Sequence, residues 1–377
     1  MAGCNDWHPM LLTEMLKASN DYLCTMSNLI AQKPNIRHLN PDELKGFFVE
    51  KGDKAFRARQ VDEWLWKKSA RSFEEMTNLS LETRELLQQN FLINAIRIDK
   101  SQISSDRTIK NAFRLHDDHI IEGVLIPTDT RMTACVSSQV GCSLTCKFCA
   151  TGRLDRVRNL DFDEIYDQVA ILREQAESNY NIPLSNIVYM GMGEPLLNYS
   201  NVLKSIEHIT SQQGLGMAHK RITVSTAGIA KMIKKLGDDE VKFNLALSLH
   251  AANDKKRDQI MPINEHNNLE VLQEALNYFC RKTDSHVTFE YIVFNNFNDG
   301  EEDARELAHF CSKIPSKVNL IEYNPIEGSD FTNTSDDKLQ RFKEILWNKG
   351  INVTLRRSRG KDIDAACGQL ANKSVKV

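Results

Sequence analysis

Cys135-Val136-Ser137-Ser138-Gln139-Val140-Gly141-Cys142-Ser143-Leu144-Thr145-Cys146-Lys147-Phe148-Cys149 places Cys142, Cys146 and Cys149 at C-x3-C-x2-C spacing, directly after a β-rich run at residues 133–137. Three thiolates on one short loop can reach a single inorganic centre. In a 4Fe-4S cube, three protein ligands leave one iron free, and an open metal position is where a small molecule coordinates. The alternative is a structural zinc site, which usually takes four ligands in paired C-x2-C arrangements, with Cys135 available as the fourth.

Downstream of the loop, β-branched runs alternate with amphipathic stretches. Strands are predicted at residues 186–190, 222–226, 243–249, 288–294 and 318–324, and helices at 163–177, 201–210, 269–283 and 299–312. With residues 133–137 in front, six strands follow the rhythm of a parallel sheet. The expected fold class is α/β, a partial (β/α)6 barrel open on one side, occupying residues 131–325. A helix at 337–349 and a strand at 352–357 follow within a C-terminal segment, 326–377, that carries Cys367. Upstream, alternation on either side of His116-Asp117-Asp118-His119 predicts a β-hairpin connector over residues 91–130. Asn40-Pro41-Asp42-Glu43 combines a capping residue, a first-turn proline and acids, a helix start that opens a small helical domain at 37–90. Residues 1–36 form an extension without an assigned role.

Within the helical domain, Phe56-Arg57-Ala58-Arg59-Gln60-Val61 leads to Trp64, Leu65 and Trp66, then Lys67, Lys68 and Arg71. Two readings stand: a phosphate-gripping surface with aromatics for bases, or a helical core with a solvated cationic face. Arg356, Arg357, Arg359 and Lys361 carry the same pair of readings beside Cys367. The formal net charge of -3 requires any nucleic-acid surface to be local. No run of apolar residues is long enough to span a bilayer and no secretory leader is present, so the expected location is the cytoplasm and the default state a monomer. Nine cysteines, an odd count in a reducing compartment, argue against a disulfide framework. Cys4, Cys24, Cys280 and Cys311 lack clustered neighbours and are expected to be small buried hydrophobes.

The cysteine loop, with an aromatic before its last cysteine and a βα array after it, resembles the radical S-adenosylmethionine (SAM) superfamily. Gly191-Met192-Gly193-Glu194-Pro195, at the end of the second strand, resembles that superfamily's glycine-rich turn. The stretches Cys135 to Cys142, Ser225-Thr226-Ala227-Gly228, Ser248-Leu249-His250-Ala251, Tyr323-Asn324-Pro325 and Ala366-Cys367-Gly368-Gln369-Leu370 are similar to the RlmN/Cfr family of RNA adenine methyltransferases. Phe56 to Gln60 and Met76-Thr77-Asn78-Leu79-Ser80 resemble its N-terminal RNA-binding domain, so the likeness covers roughly residues 37–371. One departure is local: relatives more often carry a Gly-Phe pair where this chain runs from Ala150 to Arg158.

The resemblance implies a 4Fe-4S cluster on Cys142, Cys146 and Cys149, and SAM held by Gly193, Glu194, Ser225, Ser248, Leu249, His250 and Asn324. It implies Cys367 as methyl carrier through an S-methylcysteine, Cys135 as its partner thiol, and Glu122 as an acid or base. The implied partners are 23S rRNA and tRNA, an external one-electron donor and a disulfide reductant, with no membrane. Adenine's ring carbon is not nucleophilic, so a radical route answers a real chemical difficulty. Cysteine positions do not separate methylation at carbon 2 from methylation at carbon 8, the Cfr reaction; the N-terminal segments and the Ala-Cys-Gly-Gln-Leu ending resemble the carbon 2 branch. A zinc-stapled RNA-binding protein without catalysis is the reading from a different class.

Overall fold

Asn40 starts the first long helix in the way its neighbours predict. Its side chain accepts from the Asp42 and Glu43 amides at 3.0 and 2.9 Å, and the Glu43 carboxylate accepts from the Asn40 amide at 2.7 Å. The computed structural model describes residues 33–372; residues 1–32, with Cys4 and Cys24, lie outside the described residues. The chain divides into two units, one made of the part up to Val61 together with Arg71–Ile93, the other of Asp62–Ala70 and everything from Asn94.

The first unit is helical: α1 (Pro41–Glu50), α2 (Phe56–Asp62) and α3 (Leu81–Asn90). Leu44, Phe48, Val61 and Leu87 are buried, and the Phe47 ring meets Phe91 edge-on at 4.7 Å. Phe56 stays exposed, with the Arg57 guanidinium 5.1 Å from its centroid.

In the second unit, a turn of π-helix at Glu63–Lys67 buries Leu65 and Trp66, and Trp66 stacks on His208 at 3.7 Å. The aromatic and basic residues are therefore divided: Trp66 is core, whereas Trp64 carries Lys68 over its ring at 3.8 Å. The main sheet has ten strands in which spatial order follows chain order. These are β1 (Arg97–Ile103), β2 (Ile109–Arg114), β3 (Ile120–Pro127), β4 (Met132–Cys135), β5 (Asn186–Tyr189), β6 (Ile222–Thr226), β7 (Asn244–Ser248), β8 (Val287–Val293), β9 (Ser316–Glu322) and β10 (Val353–Arg356). Pairing from β1 to β4 is antiparallel, and the expected hairpin gains β1 as a third strand.

From β4 to β10 every pair is parallel, with α4 (Phe162–Tyr180), α5 (Tyr199–Thr210), α6 (Ala230–Asp238), α7 (Asp254–Ile260), α8 (Leu269–Thr283), α9 (Glu301–Cys311) and α10 (Asp336–Asn348) between the strands. The sheet does not close: β1 and β10 are its edges. This is an open α/β sheet with helices between its parallel strands, its interior lined by hydrophobic strands such as β8, buried along its whole length. Cys280 and Cys311 are buried as small hydrophobes. No helix among the described residues is long and apolar enough to cross a membrane.

Phe289 lies in the middle of β8, fully buried, 5.5 Å from the Phe310 ring of α9. Phe289→Ala is expected to lower unfolding free energy by about 3–5 kcal/mol, read from denaturant midpoints with an unchanged m-value.

Candidate active site

Ligand sites in parallel sheets gather at the carboxyl ends of the strands, where loops diverge. Here the cysteine loop leaves β4, the glycine turn leaves β5, Ser225 and Ser248 end β6 and β7, and Asn324 follows β9. Gly141 shapes the loop: its φ is +74°, and a Cβ there would lie 2.0 Å from the Asp155 carbonyl oxygen. The Cys142 amide donates to Leu154 O at 3.3 Å, Lys147 to Ile260 O at 3.0 Å and Cys149 to Cys146 O at 3.1 Å. So held, Cys142, Cys146 and Cys149 are half-buried and line one cavity. Burial, then the neighbouring thiols, pushes Cys146 well above the ordinary thiol range, and burial raises Cys142 to about 11. A cationic centre reverses that penalty by taking the thiolates as ligands.

The glycine turn packs against the same loop. Gly193 has φ +97°, and a Cβ there would sit 2.5 Å from Gln139 Cβ. The Glu194 amide donates to Gln139 Oε1 at 2.8 Å, while its buried carboxylate accepts from the Leu196 amide at 3.0 Å and the Ala227 amide at 2.8 Å. Burial nonetheless raises its pKa. Ser225, Ser248 and His250 line the cavity with Gly193 and Glu194; Leu249 is fully buried, its amide donating to Glu290 O at 3.0 Å. The His250 Nδ1 accepts from the Ile292 amide at 3.0 Å, and its ring meets Phe148 edge-on at 4.6 Å. Burial, with Arg257 adding to it, lowers the imidazole pKa to about 3.

The C-terminal segment closes the site. The Ala150 amide donates to Gly368 O at 2.7 Å and Thr151 Oγ1 to Leu370 O at 2.6 Å, inside the stretch where the sequence departs from its family. Asn324 Nδ2 donates to Cys367 O at 3.1 Å; its Oδ1 is buried with no hydrogen-bond partner among the described residues. Cys367 is exposed and opens onto the cluster-side cavity and a second one, yet enough protein surrounds it that desolvation raises its pKa. Cys135 lines the cluster-side cavity, and burial, then the Cys367 charge, lifts it to about 12. Arg356 opposes both shifts; burial works against its own charge, but Glu290 and the two thiols outweigh this.

Glu122 is placed elsewhere. It does not line the cavity; fully buried, its Oε2 accepts from the Ala371 and Asn372 amides at 2.9 and 3.1 Å, and Lys110 Nζ lies 3.4 Å from Oε1. Of the basic residues near Cys367, Arg357 and Lys361 both bond the Glu322 carboxylate, whereas Arg359 is exposed without an ion pair among the described residues. Three residues escaped the reading of the sequence. Gln139 holds Glu194; Glu290 lies between the cavities; and Arg257, fully buried, donates to Ala227 O at 2.6 Å and Leu249 O at 3.2 Å.

Comparison with known proteins agrees over most of the chain. Residues 34–93 match the family described as "Ribosomal RNA large subunit methyltransferase N-terminal domain", and residues 136–310 match the "Radical SAM superfamily". A protein of Cytophaga hutchinsonii named "Probable dual-specificity RNA methyltransferase RlmN" is 65% identical over 357 residues, 94% of this chain and 98% of that protein. The "Dual-specificity RNA methyltransferase RlmN" of Nitratidesulfovibrio vulgaris is 44% identical over 344 residues, 89% of this chain and 94% of that one. Among solved structures, a radical SAM methyltransferase from Sphaerobacter thermophilus superposes with a TM-score of 0.85 at 36% identity, covering 89% of this chain and 99% of that chain.

Two outcomes follow from the buried charges. Lys110→Ala leaves the Glu122 carboxylate buried without its cation and is expected to cost about 3–5 kcal/mol, whereas Lys110→Met with Glu122→Met recovers most of it, measured by denaturant unfolding. His250 titrates near 6.5 when exposed and about 3 when folded. Between those values the unfolded chain binds a proton that the folded chain refuses. Stability should therefore fall as pH drops below 6.5, by up to about 1.4 kcal/mol per pH unit, and His250→Asn should flatten that slope.

Proposed function

We propose, since the chain belongs to the RlmN family of radical SAM RNA methyltransferases, that its site methylates carbon 2 of an adenosine at the peptidyl transferase centre of 23S rRNA and of an adenosine in tRNA. The observation that carries this reading is one cavity shared by Cys142, Cys146 and Cys149 with Cys135 and Cys367, which come from opposite ends of the parallel sheet. A lone structural metal site has no use for the second pair.

Cys142, Cys146 and Cys149 would hold the 4Fe-4S cluster, a three-thiol set that suits a cube with one free iron. SAM would lie against Gly193 and Glu194, with Ser225, Ser248, His250 and Asn324 around it. Two features of the chain fit it: the close approach at Gly193 that any side chain would fill, and the buried Asn324 Oδ1, an acceptor free for a donor group. When bound and reduced, these groups supply a 5'-deoxyadenosyl radical, the means of activating a methyl group toward a carbon that is not nucleophilic.

The chain's own residues do the rest. Cys367, as thiolate, would take the methyl group of one SAM, whose S–CH3 bond breaks to release S-adenosylhomocysteine, and carry it as S-methylcysteine; Arg356 offsets the penalty that burial sets on that thiolate. Once the Cys367 methylene is bonded to the ring carbon and the adduct has returned its odd electron to the cluster, Cys135, in the same cavity, would remove the proton from that carbon and then attack the Cys367 sulfur; the disulfide forms as the S–CH2 bond breaks, and the released electron pair takes up a proton to give the methyl product. A dithiol reductant reopens the disulfide, and an external one-electron donor restores the cluster, both in the cytoplasm. For Glu122 the assigned role is positioning: with its carboxylate tied to two backbone amides and Lys110, it fixes the segment that follows Cys367.

The test is anaerobic reconstitution with SAM, a reductant and an adenosine-containing ribosomal RNA fragment, with mass spectrometry of the digested RNA. Adenosine methylated at carbon 2, absent with Cys367→Ala, is the expected result. Methylation at carbon 8 would move the chain to the Cfr reaction, and a colourless, zinc-loaded, inactive protein would sink the enzymatic reading.

A further inference from the structure

Where the two cavities meet, the inside of the sheet holds a carboxylate that the chemistry above leaves unused. Glu290, on β8, is 4% exposed and lines both cavities. Its Oε1 accepts from Asn319 Nδ2 at 2.8 Å. Its Oε2 has no hydrogen-bond partner among the described residues; the cation facing it, Arg356 Nη1, stands at 3.6 Å and lies equally far from Met190 Sδ. That separation is too long for a hydrogen bond. Buried acceptors in folded proteins are nearly always satisfied, and an open one asks for a ligand.

The second cavity supplies a route to it. It occupies about 790 Å³ and is reached past the amino ends of the strands, at Asn186, Thr223 and Asn244, away from the cluster-side loops. Its size is within the range of pockets that enclose a small molecule. Arg131, Lys220, Lys317 and Arg359 line it without an ion pair among the described residues, and Glu290 is the one acidic residue in its wall. Cations at the surface with a single anionic acceptor at depth suit a nucleotide entering base first, with phosphates outside. Cys367 lines both cavities, and Cys135 lines the cluster-side one that adjoins it.

We infer that Glu290 reads the target base, its free Oε2 accepting a hydrogen bond from the exocyclic amine of an adenine that enters through this second cavity. The inference rests on the RNA adenine methylation proposed above. Position 6 of adenine carries a donor, whereas guanine, hypoxanthine and uracil present a carbonyl there or at the equivalent edge. A carboxylate accepts from the first and repels the others, so the same atom both attracts and rejects. Asn319 and Arg356 hold it in place from two sides. A base withdrawn from its stack into a pocket is read in this way, on its hydrogen-bonding edge.

The experiment uses the reconstituted full-length enzyme and three RNA fragments that differ only at the target position: adenosine, inosine or purine riboside, which lacks the amine. Methylation kcat/KM and fragment affinity are measured for wild type and Glu290→Gln, with iron content and circular dichroism as checks on folding. The wild type is expected to favour adenosine over purine riboside by about 10- to 100-fold, and over inosine by more. Glu290→Gln, whose amide can also donate, should bring the adenosine-to-inosine ratio toward one. If the variant loses the same factor on all three fragments, Glu290 merely neutralises Arg356 and the inference is overturned. Equal wild-type affinity for adenosine and purine riboside fragments overturns it too. The reaction itself is judged separately, by whether wild type methylates the adenosine fragment; where it does not, the affinity ratios alone decide on Glu290.

Discussion

A backbone hydrogen bond between two loops is the constraint on which the site depends. The Ala150 amide, one residue past the last cysteine of the loop, donates to the carbonyl of Gly368, one residue past Cys367. Since each donor and acceptor is fixed to its neighbour by a single peptide unit, this bond sets how Cys367 faces the cysteine loop. The Thr151 hydroxyl repeats the tie at Leu370, and Asn324 holds the carbonyl of Cys367 itself. A chain that leaves the sheet after β10 is thereby returned to the carboxyl ends of the strands, where a thiol and a metal-binding loop share space.

The same segment is gripped from its far side. Glu122, on the antiparallel β3, accepts from the Ala371 and Asn372 amides, and Asn372 Nδ2 donates to Ile120 O at 2.8 Å. The carboxylate is fully buried, so Lys110 on β2 is what makes its charge tolerable there. The antiparallel strands are thus more than a connector: they supply the charged clamp that keeps Cys367 on the cavity wall. Between the two grips lie only a few residues, which leaves the thiol little room to wander.

Much of this was legible in the chain. The parallel strands announce themselves as β-branched runs at regular distance, and the cysteine loop and glycine turn are local patterns that need no partner to be seen. What was hidden depends on long-range placement. Arg257 sits in Lys255-Lys256-Arg257, which reads as a solvated charge run, yet it is fully buried and bonds the carbonyls of two strand ends. Glu290 lies in Thr288-Phe289-Glu290-Tyr291, on a strand buried on both faces, so alternation carries no sign of where its side chain points. β1 escaped because its residues are mostly charged or polar and nearly all exposed, Ile98 and Ile103 included, so that it is held by pairing with β2 and not by a core. Glu122 was visible as a carboxylate in a strand, but its partners are some 250 residues away in sequence and only the fold brings them near.

An open sheet has two edges, and each is a template on which another strand can pair. Here β1 offers Arg97, Asp99 and Lys100, and its register breaks between Ile98 and Lys100. Charges and a bulge both discourage a stranger from docking there. At the opposite edge β10 is four residues long and ends in Arg356. A ten-stranded sheet left unclosed would otherwise invite edge-to-edge stacking; these two edges let the opening persist without that hazard.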